Sequence, residues 1–198
     1  MERCKWCCDG GLLQTYHDNE WGIPLHDDQM QFEFLSMEAM QCGLNWMMML
    51  KKREIFRQCF ANFDFEKVAL FDESDVQRIL DTPGMIRSER KIRAIINNAR
   101  CFLSIRAAFG SFDAYLWSFT EGETYLYPRH HRGEWVAKNT LSDRISADLK
   151  KRGFKYLGSV TVYSHLQACG MVNDHEPSCF LYDRVLKEAK IRIFENEI

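Results

Sequence analysis

Apolar residues recur at three- and four-residue intervals along most of this chain, the period of helices with one face turned inward. Asp27-Asp28 is placed to cap a helix that runs to about Cys42 and stops at Gly43, and a second helix runs from about Asn45 to Phe60. Ser74, with Gln77 following at capping-box spacing, stands ahead of Val76, Ile79 and Leu80. After a Pro83-Gly84 turn, Ile92, Ile95, Ile96 and Ala99 mark one face of a long helix from about Ser88 to Ala108. Asp113 to Phe119 form a short aromatic helix, Ser142 caps a helix ending at Gly153, and another runs from about Ser159 to Cys169 before Gly170. No segment alternates as a strand would. The stretch 121–139, with Gly122, Pro128, His130, His131 and Gly133, reads as a surface loop. The expected fold is all-α, a single helical domain over residues 1–198, with a peripheral tail after about residue 182.

The chain has 198 residues of which 46% are hydrophobic, enough for one sizeable core. A net charge of −2 excludes a polybasic nucleic-acid binder, so a nucleic-acid partner would need positive charge gathered on one face. The oiliest run, Leu44 to Leu50, falls well short of the roughly 20 residues that span a bilayer. A soluble, cytoplasmic protein with no membrane and no oligomeric partner is expected. Without a secretion signal the 8 cysteines do not imply disulfides; Cys42, Cys59, Cys101 and Cys169 sit in apolar helical patterns and read as core.

Three features carry candidate chemistry. First, Gly153 and Gly158 lie between two helices beside Lys150, Lys151, Arg152 and Lys155, with helix amides exposed from Ser159 on. This has the form of a helix–hairpin–helix element, at about 142–170, that grips a phosphate backbone without reading sequence. An ordinary helix connection with a basic rim has the same pattern. A second basic stretch, Arg87 to Arg93, adds to either reading. Second, Cys4 and His17 near one end and His175 and Cys179 near the other make a Cys₂His₂ set suited to structural zinc, which would tie the two ends together. Spacing leaves the choice between Cys4 and Cys7 open, and a Cys4/Cys7 redox pair is an alternative use of the same thiols. The adjacent histidines His130 and His131 point apart on regular structure and read as loop residues rather than a metal pair. Third, Phe34, Glu38 and Gln41 share a helix face flanked by the aromatic segments Tyr16 to Trp21 and Leu44-Asn45-Trp46. A carboxylate among aromatic faces suits a flat cationic ligand, although a helical Glu is ordinarily solvated.

The strings Met1-Glu2-Arg3-Cys4, Tyr16-His17-Asp18-Asn19-Glu20-Trp21-Gly22, Glu38-Ala39-Met40-Gln41-Cys42-Gly43-Leu44-Asn45-Trp46 and Leu50-Lys51-Lys52-Arg53-Glu54 resemble the bacterial 3-methyladenine DNA glycosylase I family. Ile92 to Arg100, Lys150 to Gly158, Tyr163 to Gly170 and Val172-Asn173-Asp174-His175 continue the likeness in the same order, over roughly residues 1–180. The resemblance implies one structural Zn²⁺ on Cys4, His17, His175 and Cys179. It implies that Glu38 contacts a base flipped out of alkylated double-stranded DNA, that Tyr16 and Trp46 sandwich it, and that Trp21 and Trp6 wall the pocket. Gln41, Gly43 and Leu44 would probe the gap left in the duplex, and Lys151, Gly153, Gly158 and Ser159 would hold the backbone. The implied reaction is monofunctional hydrolysis of the N-glycosidic bond of 3-methyladenine, with a non-catalytic, zinc-stabilised DNA-binding module as the alternative. Ala39 stands where the family commonly has Gly, Asn45 where it has Ser, and Met47-Met48-Met49 replaces a more polar segment. Asp174 receives no role from the sequence.

Overall fold

The computed structural model of the chain describes residues 1–8, 10–130 and 136–195. The helices are α1 (Gly11–Asn19), α2 (Asp28–Gln41), α3 (Trp46–Cys59), α4 (Phe65–Ala69), α5 (Glu73–Asp81), α6 (Glu89–Phe109), α7 (Phe112–Ser118), α8 (Thr140–Lys151), α9 (Ser159–Ala168) and α10 (Phe180–Glu188), with short 3₁₀ turns at Lys5–Cys7 and Ala61–Phe63. The fold is all-α in character, as expected. Two short strands, β1 (Thr124–Leu126) and β2 (Ile191–Ile193), correct the expectation of none. They pair in parallel, Tyr125 opposite Arg192, and Tyr125 also bridges Val172. All three residues of β1 are buried, so no alternation marked it, and the reading of 121–139 as a surface loop fails there. His131 and Gly133 lie outside the described residues.

Helix α2 is the centre of the core. Asp27 caps it by accepting from the Met30 amide at 2.7 Å, while the Asp28 carboxylate accepts from the Phe112 and Asp113 amides and docks α7 on it. Every residue from Gln31 to Met40 is buried, so this helix has no solvent face. Phe32 of α2, Phe65 of α4, Phe102 of α6 and Phe112 of α7 form one aromatic knot, with the Phe102 and Phe112 rings stacked at 4.0 Å.

Two helix starts differ from the sequence expectation. The cap of α5 is Asp72, not Ser74: its carboxylate accepts from the Ser74 and Asp75 amides, and Asp75 reciprocates at the Asp72 amide. The cap of α8 is Asn139, and Ser142 is its reciprocal partner one turn in. In both cases the expected residue belongs to the capping turn but is not the cap itself. Helices α1, α4 and α10 were not expected. Beyond Tyr182, α10 buries Val185, β2 joins β1, and Phe194 stacks on Tyr127 at 5.2 Å. Of the four cysteines read as core, Cys59 and Cys169 are buried, Cys101 is half-buried and Cys42 is exposed at the end of α2.

Helices α8 and α9 form a hairpin whose turn is made by Gly153, at φ +91°, and Tyr156, at φ +58°. Gly158 is extended, at φ −68°, and needs no glycine for its conformation. The hairpin is pinned to α6 by two asparagines that the sequence did not single out. Asn97 Nδ2 donates to the Gly153 carbonyl at 2.8 Å. Buried Asn98 accepts from the Lys155 amide at 2.8 Å and donates to the Lys155 carbonyl at 3.0 Å. Asn98→Ala leaves both Lys155 backbone groups without this partner, so it should destabilise the fold by about 2–3 kcal/mol, read as a lowered urea midpoint at unchanged slope.

Candidate functional site

The four residues proposed as metal ligands converge. Cys4, His17, His175 and Cys179 are all buried, and their ligand atoms lie within 4.8 Å of one another. Cys4 Sγ is 3.5 Å from His175 Nδ1, and Cys179 Sγ is 3.4 Å from His17 Nε2. Two thiols and two imidazoles gathered at one buried place fit a tetrahedral metal. The geometry favours Cys4 over Cys7, whose thiol instead donates to the Cys4 carbonyl at 3.1 Å. Burial pushes the Cys7 thiol up to about 11, the opposite of what a redox nucleophile needs. The neighbouring groups hold the set in place. Asp18 lies 2.8 Å from His17 Nδ1 and pairs with Arg3 at 2.9 Å, and the Glu176 amide points at Cys4 Sγ from 3.3 Å. Gly22 has φ +78°, and a Cβ there would stand 2.3 Å from His175 Nε2, so no larger residue fits.

A cavity of about 470 Å³ opens beside this cluster. Its wall includes Trp6, Tyr16, Trp21, Glu38, Gln41 and Trp46, which gathers the proposed acid and all four proposed aromatic residues in one place. Trp6 and Trp21 meet edge to face at 5.1 Å, and Trp21 packs on His175 at 4.7 Å, so the aromatic wall and the metal cluster share side chains. Tyr16 is held between Phe34 and Trp46. The Tyr16 and Trp46 rings are 5.5 Å apart and inclined at 52°, not two parallel plates. Asn45 caps α3 by accepting from the Met48 amide at 2.8 Å and so sets Trp46 at the first helical position. The Trp46 indole N–H is buried without a partner among the described residues.

Glu38 is buried and its carboxyl has no hydrogen-bond partner among the described residues; burial pushes it up to about 8. Glu33, on the same helix, is buried too but is met by Arg53 at 2.5 Å and Arg57 at 2.9 Å. An unpaired buried acid costs stability and stands out as a functional candidate. The ordinary expectation of a solvated glutamate fails because α2 has no solvated side.

The remaining sequence candidates lie around the rim. Gln41 lines the cavity, Gly43 is exposed at φ +84°, and Leu44 is half-buried against the core. Lys91 Nζ donates to the Met40 and Cys42 carbonyls at 2.8 and 2.6 Å and so closes the end of α2 under this loop. Arg93 of the second basic stretch is paired with Glu73 and Glu89 and adds little free charge. At the hairpin Lys151 and Gly158 are exposed and Gly153 and Ser159 half-buried; α9 starts without a side-chain cap. A Cβ at Gly158 would meet nothing within 4 Å, so the approach to the α9 amides is open. Arg152 is tied to Asp148 at 2.6 Å. His130, Gln167 and Asp174 also line the cavity, and none of them has a role in the reading from sequence.

The family model for methyladenine glycosylase matches residues 6–182. The DNA-3-methyladenine glycosylase 1 of Escherichia coli K12 is 43% identical over 92% of this chain and 97% of its own length. The 3-methyladenine DNA glycosylase I of Staphylococcus aureus, solved to explain 3-methyladenine recognition, superposes with a TM-score of 0.85 at 35% identity over 91% of this chain and 96% of that one. A variant 3-methyladenine DNA glycosylase I in complex with 3-methyladenine gives a TM-score of 0.86 at 34% identity over 91% and 97% of the two chains. With a family match across nearly the whole fold and the cavity side chains assembled as above, the chain belongs to the methyladenine glycosylase family.

Proposed function

We propose that this chain is a DNA glycosylase that hydrolyses the N-glycosidic bond of 3-methyladenine in alkylated double-stranded DNA, as a monofunctional enzyme with one catalytic domain over residues 1–198. The observation that carries this reading is the unpartnered, buried Glu38 carboxyl in an aromatic cavity, in a chain whose relatives bear that name. No helix among the described residues is long and apolar enough to cross a membrane. The enzyme acts in the cytoplasm, where reduced thiols keep Cys4 and Cys179 available to a metal.

The chemistry follows from charge. A 3-methylated adenine in DNA carries positive charge, which weakens its bond to the sugar and its hold in the stack. Once flipped into the cavity, its cationic ring meets Tyr16 and Trp46 by stacking and Glu38 by hydrogen bonds to its edge. Trp46 rotates to lie parallel to the base, and Trp6 and Trp21 exclude water. The arriving cation offsets the desolvation of Glu38 and draws its carboxyl into the ionised form. Normal adenine brings no charge and gains no such interaction, which is the source of discrimination. Gln41, Gly43 and Leu44 occupy the space vacated in the duplex, and Lys151, Gly153, Gly158 and Ser159 hold phosphate through the hairpin. Zn²⁺ on Cys4, His17, His175 and Cys179 supplies no reaction step; when bound it joins the two ends of the chain and braces Trp21.

Alkylated duplex DNA incubated with the protein should release free 3-methyladenine, measured by chromatography; DNA binding without release would instead support a non-catalytic binding module. Glu38→Gln should reduce release on the order of 100-fold while the protein stays folded. That variant also has a pH signature. Folded wild type holds the Glu38 proton up to about 8, whereas the unfolded chain loses it above the ordinary value of 4.5. Wild-type stability from this group is therefore full below about 4.5 and is lost as pH rises to about 8. The stability advantage of Glu38→Gln over wild type should grow across that window and then level off, as followed by denaturant titration at each pH. Cys179→Ser should retain less than one equivalent of zinc by metal analysis and melt at a lower temperature.

A further inference from the structure

His130 lines the same cavity as Glu38, and its side chain is 2% exposed. Its Nδ1 lies 2.9 Å from Asp174 Oδ1. The Tyr163 hydroxyl lies 2.9 Å from the same nitrogen. A carboxylate only accepts, so Nδ1–H points at Asp174, and the ring nitrogen left to act on the cavity side is Nε2. Asp174 is itself held: its Oδ2 accepts from the Tyr163 hydroxyl at 2.5 Å and from Gln167 Nε2 at 2.7 Å. The plane of the imidazole is set by Tyr127, stacked on it at 4.6 Å and 14°, and Phe194 stacks on Tyr127 in turn. Phe194 lies beyond the family match, which ends at residue 182. At the end of this brace, Nε2 is buried and has no hydrogen-bond partner among the described residues. A buried polar atom without a partner, on a ring fixed from several sides, calls for a ligand from the cavity.

We propose that His130 is the general base of the hydrolysis, taking a proton from the attacking water at Nε2, and that Asp174 is the residue that positions it. The inference rests on the glycosylase reading above. In the step, the bond between C1′ and the purine nitrogen breaks with its electron pair passing to the purine. The base entered as a cation and so leaves neutral. The water oxygen bonds to C1′ and its proton goes to His130 Nε2. The imidazolium, stabilised by Asp174, returns that proton to solvent. The arrangement divides the labour in the cavity: Glu38 and the aromatic rings recognise the base, and His130 serves the sugar side of the bond.

The test separates rate from recognition. His130→Asn keeps a donor able to reach Asp174 but has nothing at the Nε2 position. It should lower the single-turnover rate of 3-methyladenine release about 100-fold. Its Kd for free 3-methyladenine, read by quenching of tryptophan fluorescence, should stay within about threefold of wild type. Asp174→Asn should show the same split at unchanged zinc content, because the neutral amide no longer stabilises the imidazolium and has one acceptor oxygen for the three donors that Asp174 meets. A His130→Asn rate within about threefold of wild type overturns the proposal while the glycosylase reading stands. So does a loss of base affinity as large as the loss of rate, which marks His130 as structural only. A wild-type protein that releases no base removes both readings together.

Discussion

Between Gln31 and Met40 every residue of helix α2 is buried, so each polar side chain it carries needs a partner inside the protein or in the cavity that Glu38 lines. That single constraint organises the molecule. Gln31 resolves it by donating to the Leu25 carbonyl and meeting His165 at 3.0 Å, and Glu33 resolves it with two arginines of α3. His165 Nε2 donates to Gln31 Oε1 in that contact, and burial pushes the His165 imidazole down to about 3. Glu38 is the ionisable side chain of this buried stretch left without a partner among the described residues. The fold bears the desolvation of that carboxyl because a strongly packed helix carries it, and a cationic ligand is the group that relieves it.

The cavity and the metal cluster are one construction. Cys4 lines the cavity, Trp21 packs on His175, and Trp6 packs on both Trp21 and His17. Residues near the two termini therefore wall a site whose acid comes from the middle of the core. The Phe180 amide reaches the Glu2 carbonyl at 3.0 Å and the Lys5 amide reaches Glu176, so the chain ends are already stitched by hydrogen bonds around the four ligands. The second stitch is the β1–β2 pair, which carries Phe194 to Tyr127 and so braces the His130 side of the cavity.

Much of this was legible in the residues. The helical period was readable wherever one face of a helix meets water, as in α5, α6 and α8, and those elements are where it placed them to within a turn. It failed where burial is complete or where the element is short. Three buried residues in β1 leave no alternation to see, and α4 is a helix of 5 residues. Capping turns were recognisable, but not which residue of Asp72-Glu73-Ser74-Asp75 or Asn139-Thr140-Leu141-Ser142 is the cap, because both members of a capping box are polar and reciprocal. The tail after Tyr182 was expected at the periphery; its contacts are long-range and nothing local announces them.

By itself the sequence determined the helical class, the candidate acid Glu38 and the family, because helical period and long unusual strings are local properties of the chain. Spacing alone left the metal ligand open between Cys4 and Cys7, and the family resemblance pointed to Cys4. What only the tertiary structure decided is environment: that the Cys7 thiol turns to a carbonyl while Cys4 faces two imidazoles, that Glu33 is paired and Glu38 is not, and that His130, in a turn as expected, is a buried ring fixed by Asp174. Those are outcomes of desolvation and of contacts between residues far apart in the chain, and neither quantity is written in the order of the residues.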